Sequence, residues 1–309
     1  MAEDPNWPRA SAWIEACTEE HRWPRDRSPR RPEMVLLGVP AHATSLSPTG
    51  ADATPAAIRA TLARYSTYVT SAQLDLRDLM LVDLGDQTDP DTPQGERDTI
   101  DAVRLFGHIP VLALGGDNSI TFAVAHGAGA DGLITLDAHH DLRDGRSNGS
   151  PVRRLVEAGL DGRRIVQIGI SDHANSMIYA ARARQLGITV IGRDELERRT
   201  MADVMAQALE IAGGGPRGRV HVDLDVDVCD RAVAPACPAS VPGGISAAQL
   251  RAAARAAATD PRVVSLDIAE VDATADTADG RTVRLAALCV LEIATGVLLR
   301  QRVDQVATT

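Results

Sequence analysis

The chain contains no lysine; all 32 of its basic residues are arginine. That excludes Schiff-base formation and a lysine general base, both of which need an amine that can lose its proton. Aromatic residues occupy only 3% of the 309 positions, too few for the stacking platforms that hold single-stranded nucleic acid. The net charge is −10, and no run of arginine is long enough to form a basic stripe that would release counterions from a phosphate backbone. We therefore expect no nucleic-acid partner. Cysteine is scarce too: Cys17, Cys229, Cys237 and Cys289 fit neither a zinc ribbon nor a CxxC redox motif, and reduced thiols are expected. No stretch reaches about 18 uninterrupted apolar residues. The opening MAEDPNWPRASAW is acidic and polar, without the apolar core of a signal peptide. We expect a cytoplasmic protein that does not span a membrane.

What the chain does have is aliphatic: 44% of residues are hydrophobic, mostly Ala, Val, Leu and Ile, as helices packed on a parallel sheet require. Residues 1–33, with Trp7, Trp13, Trp23, Pro24, Pro29 and Pro32, read as an appendage holding one short helix, opened by Ser11 as N-cap and closed before Pro24. From Met34 on, eight short apolar runs end in Gly, Asp or Asn: MVLLGVP, LMLVDLGD, IPVLALGGDN, GLITLDAHHD, RIVQIGISD, ITVIGRD, VHVDLDVD and VVSLDIAE. Each is too short for a helix and nearly unbroken in hydrophobicity, which predicts strands buried on both faces. Helical patterns fall between them, among them TPAAIRATLARYSTYV, SPVRRLVEAGL, NSMIYAARARQLG, MADVMAQALEIAGGG and SAAQLRAAARAAATD. This alternation predicts an α/β fold: one three-layer αβα domain over 34–309 with a mostly parallel sheet of about eight strands and its site at their carboxyl ends.

Polar residues gather where those runs stop. In LDAHHD, Asp137, His139 and Asp141 alternate, so a strand ending in a turn would aim all three to one side, where they could share a cation. Two acids and an imidazole favour Mn²⁺ or a similar divalent ion over a thiolate-selected metal. The alternative is a polar turn, which would crowd these charges without a counter-ion. His140 should face the other way, into packing or solvent. In VHVDLDVDVCD, Asp223, Asp225 and Asp227 share one face by the same alternation, and spacing does not say which of them bind metal; Asp230 falls where the chain has turned away and anchors the loop. In LALGGDNS, Asn118 either offers its amide oxygen to a cation or caps the helix beginning near Ser119. In SLDIAEVDAT, Glu270 either holds a cationic amidine through paired charge-assisted bonds or is an acid at a helix start. No GxSxG occurs, so acyl-enzyme chemistry has no support and metal-activated water is the mechanism left.

Taken together, GVPAHATSLSPTGADATPAAIR, GGDN, DAHHD, DVDVCDRAVAPA followed by GG, and DIAEVDAT resemble the ureohydrolase family, which includes arginase, agmatinase and formimidoylglutamase; the likeness runs from about 34 to 300. The resemblance implies an arginase-like fold, two Mn²⁺ per subunit and a homo-oligomer, trimeric or hexameric. Its register makes Asp225 and Asp227 the ligands and leaves Asp223 and Asp230 behind them. One Mn²⁺ would then be held by Asn118, Asp137, Asp141 and Asp225, the other by Asp137, His139, Asp225 and Asp227. Glu270 would hold the substrate's cationic nitrogens and Asp141 would pass a proton to the leaving amine. This chain departs from the family at three places: GGDH has become GGDN, which implies a weaker metal at Asn118; a usual proline is Arg231; and a His-Gly shuttle segment is replaced by SNGSPV, with Asn148 unable to carry protons. The formimidoylglutamase branch is the more similar one, through DAHHDLR, SNGSP and GISDHANS. The resemblance thus implies hydrolysis of N-formimidoyl-L-glutamate to glutamate and formamide, a step of histidine breakdown, with Asn148, Ser150, Arg143, Arg146 and Arg153 near the substrate. Hydrolysis of a guanidino compound such as agmatine, and a metal-binding scaffold without activity, are the competing expectations.

Overall fold

The computed structural model describes residues 4, 6–22 and 30–307, with side chains to 302. Trp23, Pro24 and Pro29 lie outside the described residues, so the proposed stop of the first helix before Pro24 does too. Helix α1 spans Ala10–Arg22, which places Ser11 inside its first turn rather than at its cap.

All eight apolar runs are strands: β1 Met34–Val39, β4 Leu81–Asp86, β5 Val111–Gly115, β6 Gly132–Leu136, β7 Ile165–Ile170, β8 Thr189–Gly192, β9 Val220–Asp225 and β10 Val263–Ala269. β2 (Tyr68–Val69) and β3 (Leu74–Asp75) form a separate two-residue antiparallel ribbon. The large sheet has the order β4-β1-β5-β10-β9-β6-β7-β8, and every pairing in it is parallel. Residues of β1, β5, β6, β7 and β9 are buried throughout, as strands covered by helices on both faces must be.

The helices are α2 Thr54–Leu62, α3 Pro93–Leu105, α4 Ile120–Gly127, α5 Pro151–Glu157, α6 Met177–Leu186, α7 Arg193–Leu196, α8 Met201–Gly213, α9 Ala247–Thr259 and α10 Arg281–Ala307. Their ends follow local chemistry. Thr92, Ser176, Thr200 and Ser246 cap α3, α6, α8 and α9 through their hydroxyls, and Gly187 and Gly214 close α6 and α8 in the left-handed conformation. The pattern TPAAIRATLARYSTYV is helical only to Leu62; its last two residues instead form β2. Tertiary pairing accompanies the break: Ala10 N–H donates to Tyr65 O and Thr67 N–H to Pro8 O, tying this segment to the start of α1 and the residues just before it.

On the edge strand β4, Thr18 of α1 accepts the Asp83 N–H at 3.0 Å, and just before the strand Trp13 Nε1 donates to Leu79 O at 3.1 Å. An edge with open N–H groups would otherwise recruit another strand. Among the described residues one segment, Arg281–Arg302 of α10, is long and apolar enough to cross a membrane; 78% of its window is buried inside this fold, packed on α9 and α2. Its one internal acid, Glu292, is held by Arg251 at 2.6 Å and Arg255 at 2.5 Å. All four cysteines are free and buried, and burial pushes each thiol pKa up.

The strand order itself builds the site. The chain passes from β5 to β6 across a gap of two strands that β10 and β9 later fill. The carboxyl ends of β5, β10, β9 and β6 therefore stand side by side where the winding reverses, the usual place for a crevice in an open α/β sheet.

Candidate metal centre

Each of those four ends delivers polar side chains. After β5, Gly116 passes so close to Ala41 that a Cβ would fall 1.9 Å from its carbonyl oxygen, and the chain then presents Asp117 and Asn118 before α4. After β10 comes Glu270. Asp225 is the last residue of β9, and Asp227 lies in a 3₁₀ turn, Val226–Val228. β6 stops at Leu136, so Asp137, His139 and Asp141 all lie beyond the strand. Strand alternation, the basis on which these side chains were expected to converge, does not operate for Asp227 or for the DAHHD residues; tight turns bring them together.

They do converge. Ligand-type atoms of Asp137, His139 and Asp227, and likewise of Asp137, Asp141 and Asp225, lie within 4.8 Å of one another, with Asp137 common to both groups. Apart from His139, which is about a quarter exposed, these side chains are buried. Asp137 Oδ2 has no hydrogen-bond partner despite full burial. An oxygen-rich cluster with one imidazole and an orphaned carboxylate oxygen suits one or more divalent cations.

The electrostatics point the same way. Burial, reinforced by Asp227, raises Asp137 to about 6. Burial and neighbouring carboxylates also push Asp141 and Asp225 well above the ordinary aspartate range. His139 is the counter-charge: burial works against its protonation, yet bonds to Asp137 and Asp227 push it up to about 12. Its Nδ1 lies 2.9 Å from Asp227 Oδ2 and 3.4 Å from Asp137 Oδ1, and against the pull of burial it holds Asp227 below the usual carboxylate range. One proton on His139 thus stands where a cation would.

Asn118 and Glu270 join the cluster through the same two loops. Asn118 N–H donates to Glu270 Oε1 at 2.8 Å, and Asn148 Nδ2 donates to the same oxygen at 2.7 Å. Glu270 Oε2 accepts no hydrogen bond from the described residues, and burial raises the carboxyl to about 8. Among the described residues four non-glycine positions have positive φ, and two of them are Asp141 (φ 49) and Glu270 (φ 61). Strain held at such positions concentrates in functional sites.

A cleft of about 160 Å³ opens over the cluster, lined by His139, Asp141, Asp225, Asp227 and Glu270 together with Arg143, Asn148 and Tyr179. A larger concavity of about 870 Å³ between α8 and α9 contains none of the cluster. Size does not mark the chemistry here. Arg143 reaches the cleft and its guanidinium stands 5.8 Å from the centre of the Tyr179 ring. The other residues expected near substrate are engaged elsewhere: Arg153 with Asp144 and Glu157, Arg146 with Glu96, and the Ser150 hydroxyl with Ser147 O. His140 is buried, with Nδ1 2.7 Å from Gln167 Oε1, and also lines the cleft.

Asp223 stands one layer below the ligands, paired in register with Asp267 of β10, and both its oxygens are without partners. Asp267 meets His221 Nε2 at 3.1 Å, and His221 Nδ1 meets Ser265 Oγ at 2.8 Å. Sequence reasoning did not single out Asp267 or His221, although a polar residue inside an otherwise apolar buried run is a readable signal. It also passed over Tyr179 and Asn175, whose side chains line the cleft. Asp230 accepts from Ala232 N and Gly243 N and closes its loop, while Arg231 NH1 gathers the carbonyls of Cys237, Pro238 and Ser240.

Comparison with known proteins fits this geometry. The chain is 36% identical over 276 residues to the formimidoylglutamase of Halalkalibacterium halodurans, covering 84% of this chain and 86% of that one. It is 32% identical over 288 residues to the formimidoylglutamase of Bacillus subtilis, covering 86% and 87%. The crystal structure of formimidoylglutamase from Bacillus subtilis superposes with a TM-score of 0.85 at 29% identity, over 96% of this chain and 94% of that one. The Arginase family profile matches residues 32–296, a span that takes in every residue of the acid cluster and of the cleft above it, and this chain belongs to the arginase family.

Proposed function

We propose that the protein is a manganese-dependent hydrolase of linear amidines whose substrate is N-formimidoyl-L-glutamate, split into L-glutamate and formamide. The observation that carries this reading is the convergence of two ligand groups sharing Asp137 beneath a cleft that also presents Glu270 and Arg143. Asp137, Asp141, Asp225 and Asn118 would hold one Mn²⁺, and Asp137, His139, Asp225 and Asp227 the other. When bound, a pair of such ions lowers the pKa of water and offsets the negative charge of the carboxylates.

The remaining work belongs to side chains. Hydrolysis adds water across the formimidoyl carbon, breaks its bond to the glutamate nitrogen and delivers a proton to that nitrogen. Glu270, fixed through Oε1 by Asn118 and Asn148, keeps Oε2 for the N–H groups of a cationic amidine. A cation there favours the ionised form of a carboxyl that burial otherwise raises to about 8. Asp141, part of the ligand cluster and facing the cleft, carries the proton to the leaving nitrogen. Arg143 holds a substrate carboxylate at the mouth. Glu270 for its cationic end and Arg143 for its carboxylate would together set the substrate's orientation.

Cytoplasmic location and assembly into trimers or hexamers are part of the same reading. Its test is a panel of amidines and guanidines given to the manganese-reconstituted enzyme, with formamide and urea both measured. Formamide from N-formimidoyl-L-glutamate supports the assignment. Urea from a guanidino acid, which shares the cation and the carboxylate, with no formamide from any amidine, overturns it.

A further inference from the structure

Three segments meet at one joint beside the Asp137, His139 and Asp227 group. Asp137 N–H donates to Ile168 O of β7 at 3.0 Å, and Ala138 N–H donates to Asp227 Oδ1 at 3.2 Å. The end of β7 is pressed onto the 3₁₀ turn: Gly169 has φ +98, and a Cβ there would fall 2.3 Å from Val228 Cγ2 and 3.4 Å from Asp137 O. Arg193, the first residue of α7, spans this joint. Its Nε donates to Gly169 O at 3.0 Å and its NH2 to Val228 O at 3.5 Å. Each carbonyl belongs to the neighbour of a residue that holds or bonds a ligand: Gly169 follows Ile168, and Val228 follows Asp227. Arg193 is partly buried and lies outside the lining of the cleft. Burial pulls its pKa down while Asp227, Asp230 and Asp137 act against that pull, which places those carboxylates within its field.

We infer that Arg193 is a positioning residue for the Asp137, His139 and Asp227 group, bracing the two carbonyls so that Asp227 and Asp137 keep a shared geometry; the inference rests on the metal-centre reading given above. A guanidinium can bridge two acceptors with a fixed fork, which an ammonium cannot. Its charge alone would act in the opposite sense, because a cation near a metal site repels the incoming ion. The two effects therefore differ in the direction of the change on removal. Lost bracing weakens metal binding; lost repulsion tightens it.

The experiment titrates metal-stripped protein with Mn²⁺ and follows free Mn²⁺ by electron paramagnetic resonance, for wild type, Arg193→Met and Arg193→Lys. In Arg193→Met one of the two Mn²⁺ should bind about tenfold more weakly or worse, the size seen when partners that orient metal ligands are removed. The second ion, which shares Asp137 but not Asp227, should be weakened less, and Arg193→Lys, which keeps the repelling charge without the fork, should bind no better than Arg193→Met. Unchanged or tighter binding in Arg193→Met overturns the inference while the wild type still binds two ions. Should Arg193→Met fail to fold, Arg193→Lys decides alone: it keeps the charge and loses the fork, and wild-type affinity in it overturns the bracing role. A wild type that takes up no Mn²⁺ overturns the metal-centre reading, and the inference with it.

Discussion

Asn118 gives Asp141 its side-chain N–H at 2.8 Å while its own oxygen accepts the Thr121 hydroxyl at 2.8 Å. Asp141 Oδ2 is the acceptor here, so the amide faces it with its nitrogen. To offer its oxygen to a cation, Asn118 has to turn over and break both bonds. The site that depends on Asn118 should therefore be the weaker of the two. Replacing it by histidine, a ligand that needs no such reversal, should tighten the weaker Mn²⁺ about tenfold, within the range by which ligand environment shifts metal affinity. Calorimetric titration of Asn118→His against wild type checks this, and an unchanged weak site would remove Asn118 from the ligand set.

Glu270→Gln keeps an oxygen for the Asn118 and Asn148 donors and deletes the negative charge. Losing one partner of a buried charge pair costs about 2–5 kcal/mol, so kcat/KM should fall about thirtyfold or more. Formamide release under steady-state conditions measures it. A loss of less than about threefold, under 1 kcal/mol, would mean that Glu270 does not hold the amidine.

Arg143→Met should act on KM. A hydrogen-bonded charged contact contributes about 1.5–3 kcal/mol, which corresponds to a rise of about ten- to a hundredfold for an acidic substrate. Formamidine, which has no carboxylate, should be hydrolysed equally by both forms. Equal losses on the two compounds would instead place Arg143 in the structural support of the loop.

The metal-free protein should lose stability as pH rises. Asp137 at about 6 and Glu270 at about 8 are raised above their unfolded values, chiefly by burial, so the folded state binds more protons than the unfolded state above about pH 4. Their contribution is complete below the unfolded pKa and is lost as pH passes through those folded values. His139, raised to about 12, adds to the same trend above its unfolded value of about 6.5. Thermal melts of stripped protein should shift down between about pH 5 and pH 8.5, and added Mn²⁺ should restore most at the alkaline end, because metal binds the deprotonated ligands and displaces protons. A flat profile without metal would contradict the buried, proton-sharing cluster.

The eight strands were legible because a parallel sheet covered on both faces leaves an unbroken apolar run, and Gly, Asp or Asn punctuates each one. The ligands were legible by type but not by mechanism. Periodicity treats Asp223, Asp225 and Asp227 alike, yet the chain leaves β9 after Asp225, and only the 3₁₀ turn brings Asp227 back toward His139. Asp223 remains in the strand beside Asp267, an arrangement set by the β9–β10 register and invisible to either segment alone. Sequence proximity also overcounted arginines: Arg143, Arg146 and Arg153 lie within eleven residues, but Glu96 of α3 claims Arg146, while Asp144 and Glu157, one turn along α5, claim Arg153.

The left-handed backbone at Asp141 and Glu270 has a meaning for descent as well as for chemistry. Glycine adopts that conformation without the penalty of about 1–3 kcal/mol that a residue with a Cβ carries in sparsely populated backbone regions. A lineage released from the need to hydrolyse its substrate would gain stability by letting glycine or asparagine drift into both positions. Two acids held in that conformation mark positions where the chemistry of the side chain outweighs the easier fold.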